Sequence, residues 1–332
     1  MITGPKERIQ VPPKSHLMNK FKEMRIALRV LSSALILGGI VLSGPRLLLA
    51  QNSPAKSLPT KDRMYCYQKV LEPGAIGGGL VHVNGFTVEV KPIQADVPNF
   101  MVCRATIRFA EGKMVFEHDE WGMEIDPITG KDVNGDGYAN AVIVSFSGGA
   151  HCCWTYHIFS FGKNPGLIAE FENRSTASFE DLHGDGNVEM LIRDGSFDEG
   201  FGLDHPFSPF PLLIVRLRGT KFEDVGSKFW PVYEKEIRKE RSKLKDKSLR
   251  EFLRSNPNEI HDSLEYRDTE YRVLAIVLDY LYSGRAAEAR RVLGKLWPTK
   301  FQQETWEQMV GGYCSGLRSQ LQLGVNSACK TQ

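Results

Sequence analysis

The sequence predicts an α+β fold in which an antiparallel β domain (residues 64–230) precedes an α-helical domain (residues 231–332). The 332 residues allow about two domains. Residues 64–230 contain short runs rich in Val, Ile, Phe and Tyr, divided by Gly, Asn and Asp, with no helical period between them. This pattern is typical of antiparallel sheets. From Pro231 onward, apolar residues recur at helical spacing within a dense mixed-charge sequence, which predicts solvated amphipathic helices.

Alternating or continuous apolar runs define the strands of the β domain. The predicted strands are 82–93, 103–109, 113–118, 140–146, 153–161, 167–172, 188–193 and 212–217. Residues 110–113 and 218–221 predict hairpin turns, because Gly and polar residues interrupt the apolar pattern there. The β domain is thus expected to be a partial, propeller-like arrangement or a compact sandwich.

Four helices are predicted in the second domain, at 232–255, 271–282, 286–296 and 302–321. The two middle helices resemble a tetratricopeptide helical pair, with Gly284 at the turn, Ala289 in the second helix and Pro298 after it. A single such pair cannot bury its own apolar faces, so these helices must pack on each other or on the sheets.

The first 50 residues have the layout of a secretory signal peptide. Arg25 and Arg29 precede an uncharged apolar run of thirteen residues, 30–42, which is short for a membrane span. We therefore expect a cleaved signal rather than a permanent anchor, with cleavage after Ala50 and a polar linker at 51–63. Met18 and Met24 offer later starts of translation. The signal predicts a secreted protein, periplasmic or extracellular, whose only membrane contact is the signal segment.

Net charge argues against a nucleic-acid partner. Residues 1–50 hold eight Lys or Arg and two Glu, so the rest of the chain has 34 basic and 38 acidic side chains, a net charge of −4. A mildly acidic body lacks the basic surface that nucleic-acid binding needs.

Six cysteines, all beyond the signal, agree with an oxidising compartment. Proximity favours Cys66 with Cys103 and Cys314 with Cys329, loops for which chain entropy predicts about 4 and about 3 kcal/mol of stabilisation. The adjacent Cys152 and Cys153 could form a vicinal disulfide, remain thiols, or bind a soft metal with His151. Buried structural sulfur is the simplest reading.

Two nine-residue segments repeat one spacing: loop 1, residues 132–140 (DVNGDGYAN), and loop 2, residues 181–189 (DLHGDGNVE). Oxygen-bearing side chains at positions one, three, five and nine, with the carbonyl of position seven, can converge on Ca²⁺ where Gly lets the chain curl. The predicted ligands of loop 1 are the side chains of Asp132, Asn134, Asp136 and Asn140 and the carbonyl of Tyr138; those of loop 2 are Asp181, Asp185 and Glu189 and the carbonyl of Asn187. Position three of loop 2 is His183, a poor calcium ligand. Tight Asx-type turns are the alternative interpretation of both loops.

Each loop leads directly into an apolar strand, and Ile rather than Glu stands at the twelfth position, unlike an EF-hand. Loops of this kind resemble the calcium loops of the FG-GAP repeats of integrin α-chains and of the related VCBS repeats. Residues 145–162 add a resemblance to bacterial exported proteins with such repeats. The resemblance covers residues 120–200 and implies a β-propeller type of repeat, for which at least four blades are needed.

No Walker loop, HExxH or GxSxG motif occurs, so no enzyme class is indicated. We expect an exported, calcium-binding protein that serves as a binding or scaffolding module for another protein or a glycan. The alternative is an extracytoplasmic metal-redox or hydrolytic enzyme that uses His151, Cys152 and Cys153.

Overall fold

Three antiparallel sheets followed by helices form the described part of the chain, which confirms the predicted α+β class. The computed structural model describes the following residues: 64–68, 75–95, 101–149, 153–259, 261–324 and 328–329. The predicted signal and linker lie outside these residues. The described residues on both sides of the boundary predicted at 230/231 belong to one compact unit.

The first sheet has the strand order β3-β4-β5-β6. Its strands are β3 (Gly79–Val83), β4 (Phe86–Gln94), β5 (Met101–Phe109) and β6 (Met114–Glu120). The single strand predicted at 82–93 is wrong, because Asn84 and Gly85 form a two-residue turn inside it. Both have positive φ, 48° and 79°, the conformation that hairpin turns require.

The central sheet has the order β10-β9-β8-β7-β1-β2. Its strands are β1 (Met64–Gln68), β2 (Ala75–Gly77), β7 (Gly122–Ile125), β8 (Asn140–Phe146), β9 (Trp154–Ser160) and β10 (Gly166–Asn173). Strand β8 has both faces buried: Ala141 and Ile143 contact one core, Val142 and Val144 the other. This explains why its sequence is a continuous apolar run rather than an alternating one.

The third sheet is a meander, β11-β12-β13-β14. Its strands are β11 (Ala177–Glu180), β12 (Glu189–Arg193), β13 (Leu212–Arg218) and β14 (Lys221–Asp224). Strands β7 to β10 form a meander of the same kind. Loop 1 joins β7 to β8 and loop 2 joins β11 to β12, so each loop lies between the first and second strands of its meander, and position nine is the first residue of the second strand.

The helices divide differently from the prediction. They are α1 (Trp230–Lys243), α2 (Asp246–Phe252), α3 (Leu264–Tyr282), α4 (Ala286–Leu296), α5 (Gln302–Ser315) and α6 (Leu317–Gln320). The helix predicted at 232–255 is interrupted at Leu244 and Lys245, both extended. Helix α3 starts earlier than predicted, where the hydroxyl of Ser263 accepts the N–H of Tyr266. The last helix is broken at Gly316, where Ser196 packs against the backbone.

Two disulfides confirm the predicted pairings and indicate an oxidising, non-cytoplasmic location. Cys66–Cys103 connects β1 of the central sheet to β5 of the first sheet, with Cα atoms 5.7 Å apart. Cys314–Cys329 joins the end of α5 to the C-terminal segment, with a Cα separation of 5.8 Å. Among the described residues, no helix has the length and apolar character to span a membrane.

Candidate calcium loops and the adjoining cavity

Loop 1 curls around the carboxylate of its first residue. The Asp132 carboxylate accepts the backbone N–H of Gly135 on Oδ1 and that of Gly137 on Oδ2, both at 2.7 Å. Both glycines have positive φ, 72° and 83°, which residues with a Cβ adopt only with strain. The sequence therefore places Gly where the curl needs it.

The fifth and ninth residues complete the turn. Asp136 Oδ1 accepts the N–H of Tyr138 at 2.9 Å. The buried side chain of Asn140 accepts the N–H of Val133 at 2.7 Å and donates to the carbonyl of Phe159 at 3.0 Å. The structure thus uses Asn140 to close the loop onto β9.

Loop 2 repeats this pattern of hydrogen bonds. Asp181 accepts the N–H groups of Gly184 and Gly186 at 2.7 and 2.9 Å. Asp185 accepts the N–H of Asn187 at 2.9 Å. In position nine, Glu189 accepts the N–H of Leu182 at 3.1 Å, as Asn140 accepts that of Val133. The two loops are therefore one structural unit used twice.

The two loops differ at their third residue. Asn134 is 2% exposed, and its Nδ2 donates to Asp136 Oδ2 and to the carbonyl of Gly219 in the β13–β14 turn, both at 3.1 Å. Because both neighbours are acceptors, the amide nitrogen must face them, which fixes the amide orientation. Asn134 Oδ1 is then buried without a hydrogen-bond partner.

His183, at the same position of loop 2, is exposed, and its ring lies 4.5 Å from that of Phe229. The fully buried Glu189 of the same loop accepts a hydrogen bond from Arg216 Nε at 2.8 Å. None of the unpartnered buried side-chain atoms of the described chain lies in loop 2. Loop 1 therefore has a buried side-chain oxygen without a partner, whereas loop 2 has none.

Hydrogen bonds lower the pKa values of three of the loop carboxylates. Desolvation acts to raise the pKa of Asp136, but hydrogen bonds from Tyr138, Asn134 and Ser160 outweigh it and lower the pKa below its usual value. Backbone N–H groups, chiefly those of Gly186 and Asn187, lower the pKa values of Asp181 and Asp185.

Within the described residues, no group of three or more His, Cys, Asp or Glu side chains is placed to hold a metal ion. The loop 1 donors are of a different type: two carboxylates, an amide and a main-chain carbonyl. Oxygen donors of mixed type suit Ca²⁺. A buried amide oxygen without a partner costs about 1–3 kcal/mol, and a bound cation would satisfy it. The residues of loop 1 therefore fit the ion, and those of loop 2 fit it less well.

A cavity of about 270 Å³ opens beside loop 1. Its walls come from loop 1, from the β9–β10 hairpin and from the β13–β14 turn. Ser160 of the hairpin donates to Asp136 Oδ2 at 2.9 Å, and the Gly219 N–H of the turn donates to the Asn134 carbonyl at 2.9 Å. Loop 1 is thereby attached to both the central and the third sheet.

Sequence reasoning missed a row of polar side chains across β8, β9 and β10. His157 Nδ1 lies 2.7 Å from Glu170 Oε2, and His157 Nε2 lies 3.2 Å from Ser145 Oγ. Burial lowers the pKa of His157, although Glu170 acts to raise it. Ser145 is 2% exposed, so a substrate cannot reach its hydroxyl, and the row serves to cross-link strands. Polar residues at alternating positions of apolar strands were the available signal.

The His151/Cys152/Cys153 cluster falls mostly outside the described residues, which include only Cys153. Cys153 is disulfide-bonded, so its sulfur is not a free thiolate in this structure.

No protein-family model, curated protein or solved structure matches this chain. The resemblance to FG-GAP and VCBS repeats therefore stays a prediction drawn from the loop residues.

Proposed function

We propose that this chain is an exported calcium-binding protein that acts as a binding module for a protein or a glycan, and that loop 1 holds the ion. The single observation that carries the proposal is the unpartnered, buried Oδ1 of Asn134 in a loop with two acidic side chains. Asp132, Asn134, Asp136 and the carbonyl of Tyr138 would hold Ca²⁺. Asn140, whose side chain closes the loop, would act mainly as a support.

Attachment of loop 1 indicates what the ion would do. Asn134 is bound through both its main chain and its side chain to Gly219, and Asp136 is bound to Ser160. When bound, Ca²⁺ supplies positive charge that fixes the carboxylates and the amide in one arrangement. That arrangement fixes the junction between the two meanders. The role is thus structural, as is typical of extracellular modules that bind at about 0.1–1 mM.

Export is supported by two independent observations. The N-terminal sequence has the layout of a signal peptide, and the two disulfides require an oxidising compartment for their formation. Extracytoplasmic calcium is abundant enough to load a site of millimolar affinity. Mass spectrometry of the mature protein tests export: the expected N-terminus is Gln51, and an intact residue 1 in the membrane fraction would contradict cleavage.

Isothermal titration calorimetry with Ca²⁺ tests the ion. We expect saturable binding of one ion by the wild type and an affinity about tenfold lower for Asn134→Ala, which removes the unpartnered oxygen. His183→Ala, at the same position of loop 2, is the matched control and should bind as the wild type does. If the wild type shows no heat of Ca²⁺ binding, or if both variants lose affinity equally, the calcium proposal is contradicted.

A further inference from the structure

The cavity beside loop 1 has an apolar floor. Tyr138 is 39% exposed although it stands in a turn anchored by hydrogen bonds. Its ring packs on Gly162: a Cβ on that glycine would lie 3.0 Å from Tyr138 Cδ2, closer than ordinary contacts. Ile168 adds apolar surface to the same cavity. An aromatic ring is therefore held in place with part of its surface open to a ligand.

The rest of the wall carries hydrogen-bonding groups of both kinds. Asn164 and Thr220 line the cavity and are exposed to solvent. Amide and hydroxyl groups around an aromatic ring match a ligand that has many hydroxyl groups and an apolar C–H face.

Charge and size narrow the ligand class further. The lining holds one acidic residue, Asp136, and one basic residue, the exposed Lys163, so its charges do not favour a ligand of either sign. A volume of about 270 Å³ lies just below the roughly 300–1,000 Å³ of drug-sized ligand sites. One ring-sized unit fits this space.

We propose that this cavity binds a single pyranose unit of a neutral glycan, with the C–H face of the sugar on Tyr138 and its hydroxyl groups on Asn164 and Thr220. The inference rests on the proposed function, because loop 1 supplies both the ion donors and the ring of Tyr138. It commits the binding module to a glycan rather than a protein partner.

Saturation-transfer-difference NMR with the methyl glycosides of glucose, galactose, mannose and N-acetylglucosamine tests the proposal, in saturating Ca²⁺. We expect saturation transfer to at least one glycoside. Tyr138→Ala should weaken binding by about tenfold, and Tyr138→Phe by less than about twofold, because the ring is retained. Gly162→Ala, which displaces the ring without removing it, should also weaken binding.

Tyr65→Ala is the matched control, since Tyr65 on β1 is 38% exposed and does not line the cavity. Equal losses in Tyr65→Ala and Tyr138→Ala would overturn the proposal. No transfer to any of the four glycosides, from protein that binds Ca²⁺ by calorimetry, would also overturn it and leave the calcium proposal standing. If the protein binds a glycoside but shows no heat of Ca²⁺ binding in calorimetry, the calcium proposal is contradicted and the glycan proposal stands.

Discussion

Loops 1 and 2 have the same hydrogen-bonded frame but differ in what their third residue does. In loop 1 the buried Asn134 binds Gly219 and keeps one oxygen without a partner. In loop 2 the exposed His183 lies against Phe229. The shared frame is thus an Asx-type turn that forms with either third residue, and under the calcium proposal the unpartnered oxygen of Asn134 distinguishes the two loops.

The largest effect is expected when the ion itself is removed. With a dissociation constant of about 0.1 mM, about 10 mM Ca²⁺ stabilises the folded chain by about 2.7 kcal/mol, which raises Tm by about 5–10 °C. Asp132→Ala should abolish this rise, since it removes a ligand, whereas Asp181→Ala should retain it.

Differential scanning calorimetry in Ca²⁺ and in EGTA measures both variants. In EGTA they should unfold at similar temperatures, because each loses the same two glycine N–H bonds. A calcium-dependent rise that persists in Asp132→Ala would show that loop 1 is not the site.

Exchange of the third residues should move the ion between loops. His183→Asn gives loop 2 the amide oxygen that it lacks, so calorimetric stoichiometry should rise from one to two ions per chain. Asn134→His should lower it to none. The double variant controls for a general effect of the substitutions and should bind one ion. An unchanged stoichiometry in His183→Asn would mean that Arg216 beside Glu189 prevents ion binding.

A smaller difference is expected between the first glycines of the loops. Gly135 and Gly184 have φ of 72° and 69°, so Ala at either position costs about 1 kcal/mol in strain. A Cβ at Gly135 would also collide with the Arg218 guanidinium. A Cβ at Gly184 would have no atom within 4 Å.

Urea unfolding in EGTA should therefore show a larger loss for Gly135→Ala, by up to about 1 kcal/mol, with both m-values unchanged. Equal losses would mean that Arg218 moves aside without cost.

The smallest effect is on acid stability. The pKa values of Asp136, Asp181 and Asp185 are lowered in the folded chain. Their stabilisation is therefore complete above the unfolded pKa, near 4, and disappears as pH falls through the lower folded values. Asp136→Asn and Asp185→Asn should each make stability less dependent on pH below about 4.

Urea midpoints at stepped pH in EGTA measure this dependence, with the exposed Asp262→Asn as the control for loss of a charge. If Asp262→Asn flattens the profile as much as the loop variants do, the loop hydrogen bonds are not its cause.

The strands with continuous apolar runs, such as β8 and β13, were predictable because burial on both faces excludes polar residues. Short strands such as β7 and β11 were not, since four residues carry too little pattern.

The break of the first helix at Leu244 was also missed, because residues 232–255 contain apolar residues throughout and no Gly or Pro. Cysteine spacing predicted both disulfides, since short loops close at the lowest entropic cost.

By itself, the sequence determined the course of each loop: Asp at position one and Gly at four and six produce the same turn in two places, because those hydrogen bonds are local. Only the tertiary structure decided which loop has a buried side-chain oxygen without a hydrogen-bond partner. Asn134 meets Gly219, 85 residues away, and His183 meets Phe229. Such contacts depend on how sheets and helices pack, which no spacing within nine residues encodes.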